Sequence, residues 1–346
     1  MIVKNEEAVL ERILIQAKQF ASEIIVVDTG STDNTVKIAE KYARVEHFEW
    51  CEDFSEARNY SFSFATCDYI MWLDADDFIP ESEINKIKNL NPDFDVLMLK
   101  YVSSFDKNFK PITEFYRERI IKRSLNLRWK DAIHEAITPT GKILYKDIRI
   151  YHKKEKQNPI GRNLKIYEKM IKSHIALTPR QQFYYSRELM YNKKYSRSIA
   201  SFKKFLKGEG WIENKIEACL NLAWCYEAKG KLDDAKKFLL QSFTMSTPRA
   251  EVLCEFGNIL ISENKFKEAI WWFESALNVE IPLENGAFVN SDCYNFLPFI
   301  NLCVCYSRLG DIEKAYKFHL LSQKEKPEHE SVRQNDEYFK KLFASF

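Results

Sequence analysis

The sequence has 346 residues, too many for a single ordinary core, and its 45% hydrophobic and 29% charged residues are typical of a globular chain. Its 52 lysines and arginines nearly balance 50 aspartates and glutamates, which does not favour a nucleic-acid partner. No stretch approaches the roughly 20 apolar residues that a membrane span needs.

The start of the chain and the cysteines indicate a cytoplasmic protein. The first residues, "MIVKNEE", lack the basic and apolar segments of a secretory signal, so we expect none. The eight cysteines form no CxxC pair and most lie in apolar helical patterns, as in "LAWCY". Buried thiols in a reducing compartment explain them better than disulfides or zinc sites.

Short apolar runs alternate with helical patterns over residues 1–158. Helices are predicted at "EEAVLERILIQAKQF", "NTVKIAEKYA", "SEARNYSFSFA" and "PESEINKIKNL". The predicted strands are "EIIVVD" (23–28), "RVEHFEW" (44–50), "YIMWLD" (69–74) and "FDVLMLKYV" (94–102). This alternation predicts an α/β sheet with parallel pairing, which binds ligands at the carboxyl ends of its strands.

Three carboxylates follow the third of these strands, in "YIMWLDADDF". Side chains two residues apart point the same way in an extended segment, so Asp74 and Asp76 face one site. Two carboxylates at a strand end favour a divalent cation between them and a phosphate. The structural alternative is that Asp76 or Asp77 caps the helix at residues 80–90.

The segment "IIVVDTGSTDNT" (24–35) has the pattern of a strand, a tight turn and a helix. The strand ends in Asp28, Gly30 permits the turn, and Ser31 or Thr32 can cap the helix. A helix N-terminus offers free N–H groups to anions, although an ordinary connection explains the stretch equally well.

Four segments, in this order and spacing, resemble the family 2 glycosyltransferases of the GT-A fold. They are "MIVKNEE", "IIVVDTGSTDNT", "DFSEARN" and "WLDADD". The resemblance implies a nucleotide-sugar donor, usually UDP-linked, and a divalent metal, Mg²⁺ or Mn²⁺. It also implies roles for single residues: Asp28 contacts the nucleoside, Asp74 and Asp76 bind metal and ribose, Arg58 and Asn59 line the donor pocket, and Asp77 faces the acceptor.

Two later segments extend the resemblance, "RERIIKRSLNLRWKDAIHEAITP" (117–139) and "IRIYHKK" (148–154). Asp131 stands where glycine is common in relatives, and Lys122 stands where arginine is common. Taken by residue type alone, a salt-bridged surface glutamate is the favoured interpretation of Glu135, and a structural histidine that of His152. The resemblance implies four more roles: Arg119 and Lys122 contact the diphosphate, Glu135 deprotonates the acceptor in an inverting displacement, and His152 completes the metal site.

From residue 159 onward the pattern is helical and repeats. The signatures "GKLDDA" (230–235), "NKFKEA" (264–269) and "GDIEKA" (310–315) predict a turn followed by a helix, with a weaker copy at "KKYSRS" (193–198). The first two lie 34 residues apart, and we assign the longer second interval to an insertion at residues 281–292. Residues 159–346 therefore resemble a tetratricopeptide-repeat solenoid.

Together these patterns predict a two-domain enzyme, with a GT-A domain over residues 1–158 and a repeat domain over residues 159–346. The repeats offer a surface for a peptide or protein acceptor, or for a homodimer. This organisation resembles that of the sublancin-type peptide S-glycosyltransferases. The first strand is short, which indicates a reduced sheet edge, and we expect Trp271, Trp272 and Phe273 to be solenoid core rather than a sugar platform.

Three alternatives stay open at this point. The acceptor could be a cell-surface glycan or a lipid-linked sugar rather than a polypeptide. The chain could be a non-catalytic repeat adaptor with a vestigial transferase fold, although the acidic residues argue against it. A nucleotidyltransferase also uses paired acids on an α/β sheet, but it usually begins with a glycine-rich loop, which "MIVKNEE" does not provide.

Overall fold

A computed structural model describes residues 1–107, 109–153, 155, 161–282 and 286–344. The chain divides into two compact units, Met1–Glu188 and Leu189–Phe346. The predicted domain boundary between residues 158 and 159 lies outside the described residues and stays a prediction.

The first unit contains the strands that were expected from the apolar runs, each shorter or shifted by a few residues. Its strands are β1 (Ile2–Val3), β2 (Ile25–Asp28), β3 (Arg44–His47), β4 (Tyr69–Met71), β5 (Asp77–Phe78), β6 (Val96–Phe105), β7 (Pro111–Lys122) and β8 (Ile143–His152). Its helices are α1 (Leu10–Ala17), α2 (Thr35–Ala39), α3 (Phe54–Ser63), α4 (Glu81–Lys88), α5 (Arg162–Lys172) and α6 (Pro179–Tyr191).

The strands β1, β2 and β3 pair in parallel, as predicted. A helix follows β1 and β2, which allows each next strand to run in the same direction. On one side of this sheet α1 buries Leu10, Ile13 and Leu14 completely. Asp28 consequently lies at the carboxyl end of β2, beside His47 at the end of β3.

The second sheet has the order β4-β7-β6-β8-β5, and here the prediction of parallel pairing is wrong for three of these four pairs. Strand β7 is antiparallel to both β4 and β6, and β5 is antiparallel to β8; β6 and β8 are parallel. Residues 106–110 join β6 to β7 and are too few for the crossover that parallel strands require. The β5–β8 pairing places Asp77 opposite His152.

The second unit is helical, as predicted. Each turn-then-helix signature coincides with the start of α7, α9, α11 or α13, and Ala235, Ala269 and Ala315 are fully buried in them. The insertion falls between α11 and α12 and lies partly outside the described residues. The helices are α7 (Tyr195–Lys207), α8 (Ile212–Glu227), α9 (Leu232–Ser242), α10 (Ala250–Ser262), α11 (Phe266–Ala276), α12 (Phe296–Arg308), α13 (Ile312–Glu325) and α14 (Glu330–Phe343).

The three consecutive aromatic residues of α11 are not all core. Phe273 is fully buried and Trp272 stacks on Phe256 with ring centroids 3.9 Å apart, but Trp271 is 60% exposed. The prediction is therefore wrong for Trp271, because three consecutive helical residues point in directions about 100° apart and cannot all face one side.

A glycine makes the close packing of α10 on α11 possible. A Cβ added to Gly257 would lie 2.6 Å from Cζ of Phe273. We expect Gly257→Ala to lower the free energy of unfolding by about 1–3 kcal/mol, although alanine normally favours a helix. Urea unfolding checks this, with Gly208→Ala as control because its Cβ would meet nothing closer than 3.6 Å. A stabilised Gly257→Ala variant would contradict this packing.

None of the helices in the described part of the chain is long and apolar enough to cross a bilayer. The cysteines, all of which lie among the described residues, are free thiols. Cys51 is exposed and Cys67 is half-buried, whereas the six in the helical unit are buried, as expected for most of them.

Candidate active site

Arg58 links two acidic residues that are distant in sequence. It lies on the buried side of α3, where its Nε donates to Glu135 Oε1 at 2.6 Å and its Nη2 donates to Asp74 Oδ1 at 2.7 Å. The guanidinium carbon also lies 5.1 Å and 4.8 Å from the ring centroids of Trp72 and Trp129. The structure therefore brings together one predicted donor-pocket residue, one acid predicted to bind metal and ribose, and the predicted base.

The charges in this group stabilise one another. Burial disfavours a charged Arg58, but Asp74 and Glu135 outweigh it and raise the pKa of Arg58 above its ordinary value. Burial likewise disfavours a charged Asp74, but Arg58 and Arg119 hold the pKa of that carboxyl well below its usual range. Asp74 and Arg58 are therefore an ion pair at neutral pH.

Each of the two carboxylates keeps one oxygen for another partner. Oδ2 of Asp74 and Oε2 of Glu135 have no hydrogen-bond partner within the described ranges of the chain. Both side chains retain some exposure, 25% for Asp74 and 13% for Glu135. Neither carboxylate is therefore fully buried.

A second group, Asp76, Asp77 and His152, has the composition of a metal site. Each residue offers one ligand atom, and these atoms lie within 4.8 Å of one another. Nδ1 of His152 is 3.3 Å from Asp76 Oδ1 and 3.8 Å from Asp77 Oδ1. Oδ1 of Asp77 is buried and has no hydrogen-bond partner among the residues described.

This donor set fits Mn²⁺ or Mg²⁺. Two carboxylates and one imidazole are suitable ligands for such a cation, and the unpartnered Oδ1 of Asp77 is an acceptor that a cation would satisfy. Burial works against a charged His152, but the carboxylates of Asp76 and Asp77 close to its ring raise the pKa of its imidazole to about 10. A bound metal ion would replace the positive charge of this imidazole beside the two carboxylates.

Sequence comparison finds family models that match two parts of the chain. Residues 1–149 match the sequence model of Glycosyl transferase family 2, and residues 216–247 match that of the tetratricopeptide repeat.

Relatives and solved structures are similar to parts of the chain. The SPbeta prophage-derived glycosyltransferase SunS of Bacillus subtilis is 25% identical over 63% of this chain and 57% of its own length. Glycosyltransferase GlyG of Streptococcus pneumoniae is 31% identical over 40% of this chain and 52% of its own. A TPR repeat-containing protein of Synechococcus elongatus is 47% identical over 22% of this chain and 19% of its own. The chain thus spans less than two thirds of each of these relatives.

Among solved structures, the TPR protein YrrB aligns with 51% of this chain and 84% of its own, with a TM-score of 0.38 and 18% identity.

The first unit groups Asp77, rather than the predicted Asp74, with Asp76 and His152. Asp74 follows the end of β4 and its Oδ1 binds Arg58, whereas Asp77 lies in β5 directly opposite His152. The alternative that Asp76 or Asp77 caps the next helix is wrong, since α4 begins after Pro80 without a side-chain cap.

Arg119 and Asp77 form a buried ion pair, which differs from the roles that the resemblance implies. Both are fully buried, and Arg119 Nη1 donates to Asp77 Oδ2 at 2.9 Å and to the Trp72 carbonyl at 3.1 Å. The guanidinium carbon of Arg119 lies 3.7 Å from the ring centroid of Trp72. Because neither side chain is exposed, this arrangement does not allow Arg119 to contact a diphosphate or Asp77 to contact an acceptor.

Lys122 lies away from the carboxylates. It pairs with Tyr69 at the start of β4, whereas the acids follow the end of that strand. Lys122 also stands three residues after Arg119 in β7, which corresponds to about 10 Å along the strand. Its Nζ is 3.5 Å from Asp95 Oδ1. The implied diphosphate contact of Lys122 is therefore not supported by its position.

Asn59 and Asp28 bind backbone groups. The amide of Asn59 donates to the Trp129 carbonyl at 3.1 Å and accepts from the Trp129 N–H at 2.9 Å, which supports the segment leading to Glu135. Asp28 Oδ2 accepts from the N–H groups of Gly30 at 3.0 Å and Ser31 at 3.1 Å. Gly30 has a φ of +99°, which explains the glycine in this turn.

The first helix after this turn begins differently from the prediction. Asn34 precedes α2 and makes no side-chain cap, whereas Ser31 Oγ accepts from the Asn5 N–H at 2.8 Å. The prediction that Ser31 or Thr32 caps this helix is therefore wrong.

Sequence reasoning did not identify the aromatic pair Trp72 and Trp129. Their ring centroids lie 5.1 Å apart, and both rings flank Arg58. The available signal was their position, since each tryptophan stands a few residues before a predicted acidic motif, "DADD" or "DAIHE".

Proposed function

We propose that the chain is an inverting, metal-dependent glycosyltransferase that moves a sugar from a UDP-sugar to a peptide or protein acceptor. The observation that supports it most is the link from Asp74 through Arg58 to Glu135, beside a metal donor set, in a family 2 domain. The charges on the donor side and the base on the acceptor side then lie within one connected group.

On the donor side, Asp76, Asp77 and His152 would hold the cation, and Asp74 and Asp28 would face the ribose and the nucleoside. A bound Mg²⁺ or Mn²⁺ supplies positive charge that stabilises the diphosphate as it leaves. The ion pair with Arg58 keeps Asp74 ionised and fixes the position of its carboxylate.

On the acceptor side, Glu135 takes the proton of the attacking group. Arg58 holds Oε1 of Glu135, so Oε2 is the oxygen that receives the proton. The acceptor atom then forms a bond to the anomeric carbon while the bond from that carbon to the diphosphate oxygen breaks. UDP leaves with the electron pair of that bond, and a single displacement inverts the configuration.

The helical repeats support a polypeptide acceptor, because stacked helical hairpins form extended surfaces for such partners. The same surface could instead hold a second copy of the chain, and sedimentation of the purified protein tests that. The free thiols support a cytoplasmic location.

Release of free sugar from UDP-sugars tests the proposed activity without knowledge of the acceptor. UDP-glucose, UDP-galactose and UDP-N-acetylglucosamine are incubated with the full chain in the presence and absence of Mn²⁺. We expect Mn²⁺-dependent hydrolysis of at least one of them, and mass spectrometry of trial peptides then identifies the acceptor atom. A non-catalytic adaptor would hydrolyse none.

Glu135→Gln should lower the rate of this hydrolysis by about 10²- to 10⁴-fold, since water must also lose a proton to attack. Glutamine still accepts a hydrogen bond from Arg58, so binding of UDP with Mn²⁺, measured by calorimetry, should not change. Glu81→Gln, an exposed position on α4, is the matched control. Unaltered hydrolysis by Glu135→Gln would exclude Glu135 as the base.

A further inference from the structure

One face of α6 contacts the loop in which Glu135 lies. We call residues 130–136 the base loop, which is closed by a bridge between Lys130 and Ala136. The α6 face consists of Arg180, Gln181, Tyr184 and Glu188, of which the first, third and last are four residues apart and share one side of the helix.

Each of the four residues of the α6 face contacts the base loop, and Arg180 does so twice, since its Nε also lies 3.5 Å from Asp131 Oδ2. Gln181 Nε2 donates to Asp131 Oδ1 at 2.8 Å, and Arg180 Nη2 donates to the His134 carbonyl at 2.9 Å. The ring of Tyr184 stacks on that of His134, with centroids 4.1 Å apart and planes 14° apart. Glu188 Oε1 lies 3.1 Å from Nε2 of the same histidine.

The base loop needs such support. Asp131 and His134 have positive φ angles, +76° and +54°, which side-chain-bearing residues adopt only where their surroundings hold them. Asp131 holds this conformation without being a glycine, and its side chain binds α6.

The amide of Gln181 is fixed in the orientation that this contact requires. Its Oε1 accepts from the Thr178 N–H at 2.9 Å, while Thr178 Oγ1 accepts from the Gln181 N–H at 3.2 Å, a reciprocal helix cap. Because Oε1 is used in the cap, the NH₂ group faces Asp131. Gln181 therefore contributes both to the cap of α6 and to the contact with the base loop.

We infer that the α6 face positions Glu135, so that α6 is part of the acceptor side of the catalytic apparatus. Arg58 holds the side chain of Glu135, and the residue before it, His134, is held by Tyr184 and Glu188. Gln181 and Asp131 are then positioning residues for the base. This inference rests on the proposed function, because it assumes that Glu135 is the base.

Reversing the polarity of one contact tests the inference. Gln181→Glu preserves the helix cap, since glutamate also accepts from Thr178, but it sets a carboxylate against Asp131. Adding Asp131→Asn restores a donor and an acceptor with their positions exchanged, and asparagine tolerates a positive φ. Gln241→Glu, on α9 of the other unit, controls for the added charge.

Three quantities are measured on the full chain: the melting temperature, the affinity for UDP with Mn²⁺, and kcat for hydrolysis of the best UDP-sugar. We expect Gln181→Glu to lower kcat by about 10- to 100-fold with unchanged UDP affinity, and the double variant to recover most of it. Unchanged kcat in Gln181→Glu, or a folded double variant without recovery, would overturn the inference.

A further variant keeps the test decisive if Gln181→Glu does not fold. Asp131→Gly retains the backbone conformation and removes only the carboxylate, so we expect a similar loss of kcat. A native kcat in Asp131→Gly would overturn the positioning role. Absence of hydrolysis by the unmodified chain would instead refute the proposed function, so the two failures are distinguishable.

Discussion

Asp76→Asn should reduce metal-dependent hydrolysis of a UDP-sugar by about 10³-fold while the fold remains intact, because a cation supplies several kcal/mol of charge stabilisation. Asp76 is partly exposed, and its Oδ1 lies 3.3 Å from His152 Nδ1 in the donor set. Asparagine has nearly the same shape but lacks the negative charge that binds the cation. Hydrolysis assays over a range of Mn²⁺ concentrations measure the effect.

The control for this variant is Asp93→Asn, which alters an exposed carboxylate paired with Lys142 in the same unit. It should leave hydrolysis unchanged, and both variants should melt at the temperature of the unmodified protein. Undiminished turnover by Asp76→Asn would remove Asp76 from the metal site.

Arg119→Met should lower the free energy of unfolding by about 3–5 kcal/mol, because it leaves the carboxylate of Asp77 buried without its cationic partner. Both side chains are 0% exposed, and the pair is 2.9 Å long. Methionine fills a similar volume against Trp72, so the loss reflects the unpaired charge more than a cavity. Urea unfolding monitored by circular dichroism gives the value.

Arg123→Met is the control, since that arginine is exposed and follows the same strand. Its effect should be small. If Arg119→Met instead unfolds like the unmodified chain but no longer binds UDP, the diphosphate contact implied by the family resemblance is correct and the structural role is not.

The local sequence predicted most helices and strands because their apolar residues recur at the periods of those elements. It also identified Arg58, Asp74, Asp76 and Glu135, because these residues stand in motifs that are recognisable within a few positions. The structure brings three of them together, since Arg58 binds both Asp74 and Glu135; their roles stay predictions.

The sequence did not reveal which charged residues are buried. In "RERIIK" Arg119 and Lys122 are both candidates for diphosphate contacts, and only the tertiary structure decides that Arg119 meets Asp77 inside the domain. The same holds for the metal donor set, because the register of β5 against β8 places Asp77 rather than Asp74 opposite His152.

Contacts between distant segments were equally inaccessible. Fifty residues separate Asp131 from Gln181, and nothing in either local pattern indicates that they meet. The departure from glycine at position 131 was visible, but its compensation by α6 depends on tertiary structure.

Diffraction at the manganese absorption edge, from crystals of the full chain grown with UDP and Mn²⁺, tests most directly whether the acidic group binds the diphosphate of the donor. We predict an anomalous peak within coordination distance of Asp76, Asp77 and His152, with the diphosphate of UDP as a further ligand. A peak elsewhere, or UDP bound away from these residues, would contradict the proposed donor site and with it the proposed function.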